Sequence, residues 1–300
     1  MSTFALMIGA LTASALLTNV WLRTILSVVG ALLMVRTFIT YHDYMHGAIL
    51  RSSRTASTLF HVYGLFSLTP ARSWKRSHNH HHGAVGQISF IAPGAFPVVT
   101  TRMWKTASCG QKFRYRLTRH PLIILFGYVT IFFFSVTLEP LLRNPKHHWD
   151  SAISLLCHGS LVASLWSFGG FDNALFAVLL PMTLSSMLGS YLFFAQHSFE
   201  KMIVLRPDNW SVYRAALVTS SYMRLNRLMH WFTGNIGYHH VHHLNVRIPF
   251  YRLPEAMAAI PALQTPITTS LSLRDIIACF RSSLWDEGRQ QMVSYREARG

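Results

Sequence analysis

Histidine clusters are the residues in this sequence best suited to chemistry. Their members repeat two spacings, with pairs four residues apart and a further imidazole three residues after the first. In a helix, residues i and i+4 share a face and residue i+3 lies close by. Neutral imidazole is the commonest protein ligand for transition metals. The three clusters are His42-Asp43-Tyr44-Met45-His46, His78-Asn79-His80-His81-His82 and His239-His240-Val241-His242-His243. His197 lies outside them as a single further candidate.

This spacing predicts a site with two metals. An i/i+4 pair can hold one metal while the i+3 imidazole reaches a second. One tetrahedral zinc needs only four ligands and would leave most of these histidines unexplained. The His-Glu-x-x-His motif of zinc proteases is absent. No glutamate starts the Glu-x-x-His motif of carboxylate-bridged helical bundles. Iron, copper, zinc and nickel all accept imidazole, so spacing leaves the metal open. His80 and His240 lie off the pattern and are expected to have no direct role.

The elements that must position these histidines are membrane helices. Only 13% of the residues are charged, against about 25% in soluble proteins, and about 20 apolar residues span a bilayer as a helix. We expect an all-α integral membrane fold, forming a single domain over 1–300, with about four transmembrane helices, one re-entrant or interfacial segment and a cytoplasmic helical cap. The expected segments are transmembrane 4–22, 24–41, 151–168 and 173–196, re-entrant or interfacial 121–138, and cytoplasmic 42–120 and 197–300.

The choice of 121–138 as the segment that does not cross follows from the ligands. All of them must meet on one side of the membrane, and three full crossings between the second cluster and His197 would place His197 on the wrong side. The loop 143–146 is basic, whereas the turn 169–172 is not. Positive-inside bias therefore favours 121–138 as the segment that does not span the membrane. Pro181 should kink the returning helix.

Charge and cysteine content exclude several classes of protein. The net charge is +16, and 102–119 is a basic stretch without any acid. This stretch fits either anionic lipid or docking of an acidic protein partner, and the lipid-facing interpretation is preferred. No nucleic-acid-binding motif accompanies the charge. The three cysteines form no disulfide pattern, and no basic region typical of a cleaved signal peptide precedes the first apolar segment. Near the C-terminus, apolar spacing from Leu273 to Leu284 predicts a helix, with Ser272 and Asp275 as a capping box.

The clusters resemble the three histidine boxes of the membrane-bound fatty acid desaturases and of the related hydroxylases and ketolases. The resemblance covers about residues 30–260. Spacing and tail look closest to bacterial acyl-lipid desaturases of the omega-6 (delta-12) type. The matching motifs are His42-Asp43-Tyr44-Met45-His46-Gly47, Trp74 with His78-Asn79-His80-His81-His82, Phe194-Ala195-Gln196-His197, and Asn235-Ile236-Gly237-Tyr238-His239-His240-Val241-His242-His243.

The resemblance implies two irons that activate O2 and leave a cis double bond in an acyl chain. One iron would take His42, His78, His82, His239 and His243, and the other His46, His81, His197 and His242. Some relatives have an asparagine that helps to hold a metal-bound water, and Phe193 stands at that position here. Gln196 or Asn235 is the candidate to take over the role of that asparagine. Asp43 and Asn235 are expected to hold ligating rings, because such rings usually donate their other N–H to a carboxylate or carbonyl.

The resemblance also bears on substrate and partners. The third box begins with His239 rather than glutamine, and the His-Pro-Gly-Gly motif of a fused cytochrome b5 is missing. A separate electron donor is therefore expected, such as a ferredoxin or a cytochrome b5-like protein. The substrate would be an acyl-lipid, acyl-CoA or acyl carrier protein thioester. The expected location is the bacterial inner membrane, with the metal site on the cytoplasmic side.

Two alternatives stay open at this point. A hydroxylase or carotenoid ketolase would use the same metal scaffold, because the outcome depends on substrate placement that the sequence does not show. A non-enzymatic membrane protein that binds or transports metal would instead spread its ligands along a pathway. The histidines gather at helix ends and loops, which favours one compact site.

Overall fold

The computed structural model describes residues 2–299, which are mostly helical. Up to residue 195 the helices are α1 Ser2–Leu16, α2 Val20–His46, α3 Arg54–Phe66, α4 Ala71–Ala84, α5 Thr101–Thr106, α6 Cys109–Thr118, α7 Pro121–Leu125, a π-helix Tyr128–Leu138, α8 Glu139–Arg143, α9 Trp149–Ala174, a π-helix Leu175–Leu179 and α10 Leu180–Ala195.

The remaining elements are shorter. They are α11 Val212–Val218, β1 Tyr222–Arg224, α12 Arg227–Phe232, α13 His239–Leu244, α14 Leu253–Ala259, β2 Thr268–Ser270, α15 Leu273–Arg281, β3 Leu284–Asp286 and β4 Gln291–Val293, with 3-10 turns at Pro207–Asn209, Phe250–Arg252, Pro261–Leu263 and Glu297–Arg299.

The chain divides into two compact units. Unit 1 contains residues 2–75, Leu125–Ser190 and Trp231–Gly234, and unit 2 contains Arg76–Ile124, Tyr191–His230 and 235–299. The prediction of one domain stays a prediction.

Unit 1 begins with a helical hairpin formed by α1 and α2. The first helix ends at Leu16, and Asn19 starts the second, since its side chain accepts hydrogen bonds from the backbone N–H groups of Trp21 and Leu22. The predicted segment 4–22 is therefore not one continuous helix, because this cap interrupts it. The two helices pack closely at Gly30, where an added Cβ would lie 2.6 Å from the end of the Leu11 side chain and would force that side chain to move.

Two helices of the described chain are long and apolar enough to cross a membrane. They are Val20–His46 and the run Trp149–Ala195, which contains a break at Gly170. The predicted segment 24–41 lies inside the first helix. The predicted segments 151–168 and 173–196 coincide with the two parts of the second run, apart from the last residue, 196. The apolar stretch 121–138 is also helical, mostly as the π-helix Tyr128–Leu138. The number of crossings and the depth of this stretch stay predictions.

The 47-residue run contains the turn that the sequence predicts. Gly170 has φ 78° and ψ 170°, a conformation that interrupts α9 and that glycine adopts without strain. A π-helical segment then ends directly before α10, and Pro181 is the second residue of that helix. Since proline lacks an N–H, the regular hydrogen-bond ladder is disturbed at this point.

Unit 2 departs from the predicted all-α class through four three-residue strands. Strand β1 pairs in parallel with β2, and β3 pairs antiparallel with β4. Ser272 caps α15 as predicted, since its Oγ accepts the N–H of Asp275. The predicted capping box is not completed, because the Asp275 carboxylate accepts from Ser270 Oγ instead. The helix ends at Arg281, however, and Leu284 lies in β3 opposite Val293. The prediction of a helix reaching Leu284 was wrong, because a buried strand position satisfies the same apolar spacing.

Candidate metal centre

The first histidine box lies at the end of α2 in unit 1. His42 and His46 are one helical turn apart, with ring centroids separated by 4.6 Å. Gly47 ends the helix in the left-handed conformation, with φ 68°. The Nδ1 atom of His42 lies 3.1 Å from Oδ1 of the buried Asp43 carboxylate. This contact orients the ring and leaves Nε2 as its ligand atom.

The second and third boxes come together in unit 2, as two groups of imidazoles. In the first group, His82 Nε2 lies 3.1 Å from His78 Nε2 and 3.1 Å from His242 Nε2. Ligand nitrogens of these three residues all lie within 4.8 Å of one another. Helix α4 supplies the i/i+4 pair and α13 supplies the third ring.

The second group has four buried imidazoles. His243 is its centre, because its Nε2 atom lies 3.1 Å from that of His239 and 3.2 Å from those of His81 and His197. The Nε2 atoms of His197 and His239 are 2.8 Å apart. His197 follows the end of α10, and its Nδ1–H donates to the Thr219 carbonyl at 3.0 Å. The ring is therefore held with Nε2 directed toward the other three.

Burial keeps these rings neutral. Desolvation lowers the pKa of His197 to about 4, although the hydrogen bond to Thr219 opposes the shift. Desolvation also places the pKa of His243 well below its usual range, and neighbouring imidazoles add to that effect. Neutral imidazole is the form that binds metal. His197 and His243 of the second group therefore present lone pairs at neutral pH.

The geometry fits metal ions better than hydrogen bonding alone. Four Nε2 atoms that face one another cannot all be satisfied by the few protons that neutral rings carry. Metal–imidazole bonds of 2.0–2.1 Å separate neighbouring ligand nitrogens by roughly 3–3.4 Å, which is close to the 3.1 Å and 3.2 Å found around His243. Imidazole-only sets suit iron, zinc, copper or nickel rather than magnesium or calcium.

Comparison with known proteins identifies the family to which the chain belongs. The sequence model of the family described as "Fatty acid desaturase" matches residues 19–268. The chain belongs to the fatty acid desaturase family. A fatty acid desaturase of Bacillus subtilis (strain 168) is 32% identical over 272 residues, which cover 90% of this chain and 77% of that protein.

More distant desaturases match with lower identity. A probable fatty acid desaturase of Sorghum bicolor is 29% identical, over 75% of this chain and 60% of its own length. An sn-1 acyl-lipid omega-3 desaturase (ferredoxin) of Nostoc sp. (strain 36) is 25% identical, over 85% of this chain and 72% of its own length. The chain thus spans about three-quarters of the Bacillus protein and about three-fifths of the Sorghum protein.

Within this desaturase-family chain, the expected division of the ligands between two metals was wrong. His239 and His243 lie with His81 and His197, not with His78 and His82. His242 lies with His78 and His82, and His46 lies beside His42. Each i/i+4 pair therefore shares its group with the i+3 residue of the other box. Spacing gives the direction of a side chain within its own helix, but not the rotation of one helix against another.

The predicted supporting residues differ in what they contact. Asp43 faces the ring of His42, a candidate ligand, as described above. Gln196 is buried, and its Nε2 donates to the Ile236 carbonyl at 2.8 Å. Asn235 adopts a left-handed φ of 54°, and its Nδ2 donates to the Phe250 carbonyl at 3.1 Å. These two residues hold the backbone around the third box. Their role toward a metal stays a prediction.

The Thr219 carbonyl and the Phe193 ring contact the imidazoles of the second group. The Thr219 carbonyl that holds His197 was not predicted, because a backbone acceptor leaves no signal in side-chain spacing. Phe193 packs against His81 and His197, with ring centroids at 4.8 Å and 5.6 Å. The position where some relatives have asparagine thus presents an apolar ring to the imidazoles. By contrast, His240 is buried with Nε2 3.2 Å from the Leu263 carbonyl, and His80 is exposed. Neither belongs to a group.

Replacing Asp43 by asparagine should weaken metal binding without removing a ligand. The amide oxygen can still accept the His42 Nδ1–H, but it lacks the charge that raises the basicity of the ring. Loss of such a partner typically lowers metal affinity about 10–100-fold. Titration of the metal-free protein with Fe²⁺ or Co²⁺ measures the change. Asp208→Asn is a suitable comparison, since it changes an exposed carboxylate that pairs with Arg206, and unchanged affinity in Asp43→Asn would contradict the role of Asp43.

Proposed function

We propose that this chain is an O2-dependent di-iron desaturase that inserts a cis double bond into an acyl chain. The observation that carries the proposal is the convergence of seven imidazoles of unit 2 into two adjacent ligand groups, in a chain of the desaturase family. We further propose that the first box, His42 and His46, completes the set around His78, His82 and His242. The box sequence and the Asp43 contact support this assignment.

The two irons, when bound, would supply O2 activation and the oxidising power to remove hydrogen from an unactivated carbon. Each turnover would remove two hydrogens from neighbouring carbons of the substrate. It would also consume one O2, two electrons and two protons, and would release two waters. The residues of this chain would hold the metals, keep the imidazoles neutral through burial, and orient His197 through Thr219.

The proposed substrate is an acyl-lipid, with acyl-CoA and acyl carrier protein thioesters as alternatives, and the proposed reductant is a ferredoxin or a cytochrome b5-like protein. Support for an acyl-lipid and for ferredoxin comes from the relatives whose names include both. We propose that the protein resides in the bacterial inner membrane with its metal centre on the cytoplasmic side, and that 121–138 does not cross the bilayer. The two long apolar helices support a membrane location.

Lipid profiling tests the reaction. Expression in a host that lacks the product should yield new unsaturated acyl chains, with about two irons per purified chain. His81→Ala should abolish them, because it removes a ligand from the buried group, whereas His80→Ala changes the exposed neighbour and should leave the profile intact. Hydroxylated chains or altered pigments would instead indicate a hydroxylase or ketolase. Unsaturation that survives His81→Ala would contradict the ligand assignment.

A further inference from the structure

Helix α6, Cys109–Thr118, has an exposed apolar face in the middle of the basic stretch. Phe113 is 66% exposed and Leu117 is 44% exposed. They are four residues apart and therefore share one side of the helix. Tyr115, on the opposite side, is only 2% exposed and packs into the core of unit 2. The outward side of α6 is thus apolar, although the surrounding sequence is strongly cationic.

Cations flank this apolar face on both sides. Arg114 and Arg116 lie about 80° to either side of its centre, given 100° per residue. Arg116 stacks on Trp104 and Tyr295, with its guanidinium carbon 5.1 Å and 5.4 Å from the ring centroids, so its charge is held beside the helix. The neighbouring cations are Arg102, Lys105 and Lys112, and no acidic residue occurs between Asp43 and Glu139.

We propose that α6 lies in the headgroup region of the membrane and binds anionic phospholipid. An apolar strip flanked by basic residues is the pattern of helices that lie in the plane of the interface, with the apolar side chains below the headgroups and the cations beside the phosphates. Long basic side chains reach the headgroups while their stems cover apolar surface. The proposal rests on the proposed membrane location, but on none of the metal ligands.

Docking of an acidic electron donor would explain the positive charge around α6, but it would not explain the apolar face. A donor would be recognised through exposed cations, and nothing in that recognition requires two large apolar side chains at the centre. Large exposed apolar groups ringed by polar residues mark a surface that is covered in the working protein. Acyl chains cover them while phosphate groups meet the flanking arginines. Charge and apolar surface together therefore favour lipid over a soluble acidic protein.

Cys109, the exposed first residue of α6, gives a direct probe. In a Cys157→Ser background the full chain is labelled at Cys109 with a polarity-sensitive fluorophore and placed in nanodiscs. One set contains only phosphatidylcholine, and the other contains one-third phosphatidylglycerol. Nitroxide groups on the lipid headgroups should quench the label, about twofold more strongly with phosphatidylglycerol. Salt at 0.5 M should remove most of that difference, because charge screening is then short-ranged.

A matched pair of variants tests whether the apolar face of α6, rather than exposed apolar surface in general, contacts the lipid. Phe113→Ser with Leu117→Ser should lower quenching to the level of a label in water. Val212→Ser with Tyr213→Ser removes exposed apolar side chains from α11 instead and should leave quenching unchanged. A label that lipid never quenches would overturn the proposal. So would a label protected from an aqueous quencher only after ferredoxin is added, which would indicate donor docking.

Iron content, measured on the same samples, keeps this proposal separate from the proposed function. Lipid quenching in a chain without iron would support the membrane contact of α6 and contradict the di-iron function. A chain that holds two irons but shows no quenching would support the function and overturn the contact.

Discussion

The double variant His81→Ala/His243→Ala is expected to retain about one iron per chain, whereas His242→Ala/His243→Ala should retain almost none. His81 and His243 belong to the same group of ligand nitrogens, so their joint loss disrupts one metal position. His242 belongs to the other group, so the second pair of substitutions damages both positions. Iron per chain after equilibration with a chelator measures the difference.

Both double variants should lose desaturation by more than about 100-fold. Loss of a residue that only supports a ligand already lowers metal affinity or activity about 10–100-fold, and loss of the ligands themselves should exceed that. Activity therefore does not distinguish the variants, and the metal count does. The division first expected from the resemblance gives the opposite result for His81 and His243, since it places them on different irons.

His240→Asn is the control for both variants. His240 lies on the same short helix and is buried, but it bonds the Leu263 carbonyl and belongs to neither group. It should retain both irons. Equal iron content in the two double variants would contradict the crossed arrangement of the second and third boxes.

The candidate ligands could be identified from the sequence because their helical spacing is a local property. Helical spacing alone indicates that His78 and His82 share a side and that His81 diverges. Their grouping with the third box could not be predicted, because it depends on how α4 and α13 are rotated in the folded unit. Many rotations fit one spacing pattern, and packing selects among them.

The same distinction explains the other differences. The turn at Gly170 was predictable, because two consecutive glycines between apolar segments provide residues that tolerate a positive φ. The fate of Leu284 was not, because an apolar residue suits the buried face of a helix or of a strand equally well. The basic stretch 102–119 was interpreted as facing lipid or an acidic partner, yet Arg119 within it is only 4% exposed. The sequence shows that Arg119 is a cation, but it does not show that buried carbonyl groups in the folded unit accept its hydrogen bonds.

Replacing Arg119 by methionine should destabilise unit 2 by about 3–5 kcal/mol. Its guanidinium donates to the Pro97 carbonyl at 2.8 Å, to Ser198 Oγ at 3.0 Å and to the Ser282 carbonyl at 2.8 Å. Methionine preserves much of the stem but leaves these buried acceptors without a donor. Hydrogen bonds to charged groups contribute about 1.5–3 kcal/mol each, and the contributions do not add fully. Denaturant unfolding of the metal-free protein, followed by tryptophan fluorescence, measures the loss.

Arg119 should also affect the metal centre, because Ser198 directly follows His197 in the chain. Arg119→Lys keeps the charge, but a single ammonium group cannot reproduce the planar fork that reaches three acceptors. It should therefore recover only part of the stability and part of the iron bound by the group around His243. Arg114→Met, an exposed change on the helix α6 that Arg119 directly follows, should alter stability by less than about 0.5 kcal/mol. If Arg119→Met were as stable as Arg114→Met, the buried hydrogen bonds of Arg119 would not be what holds the segment after His197 in place.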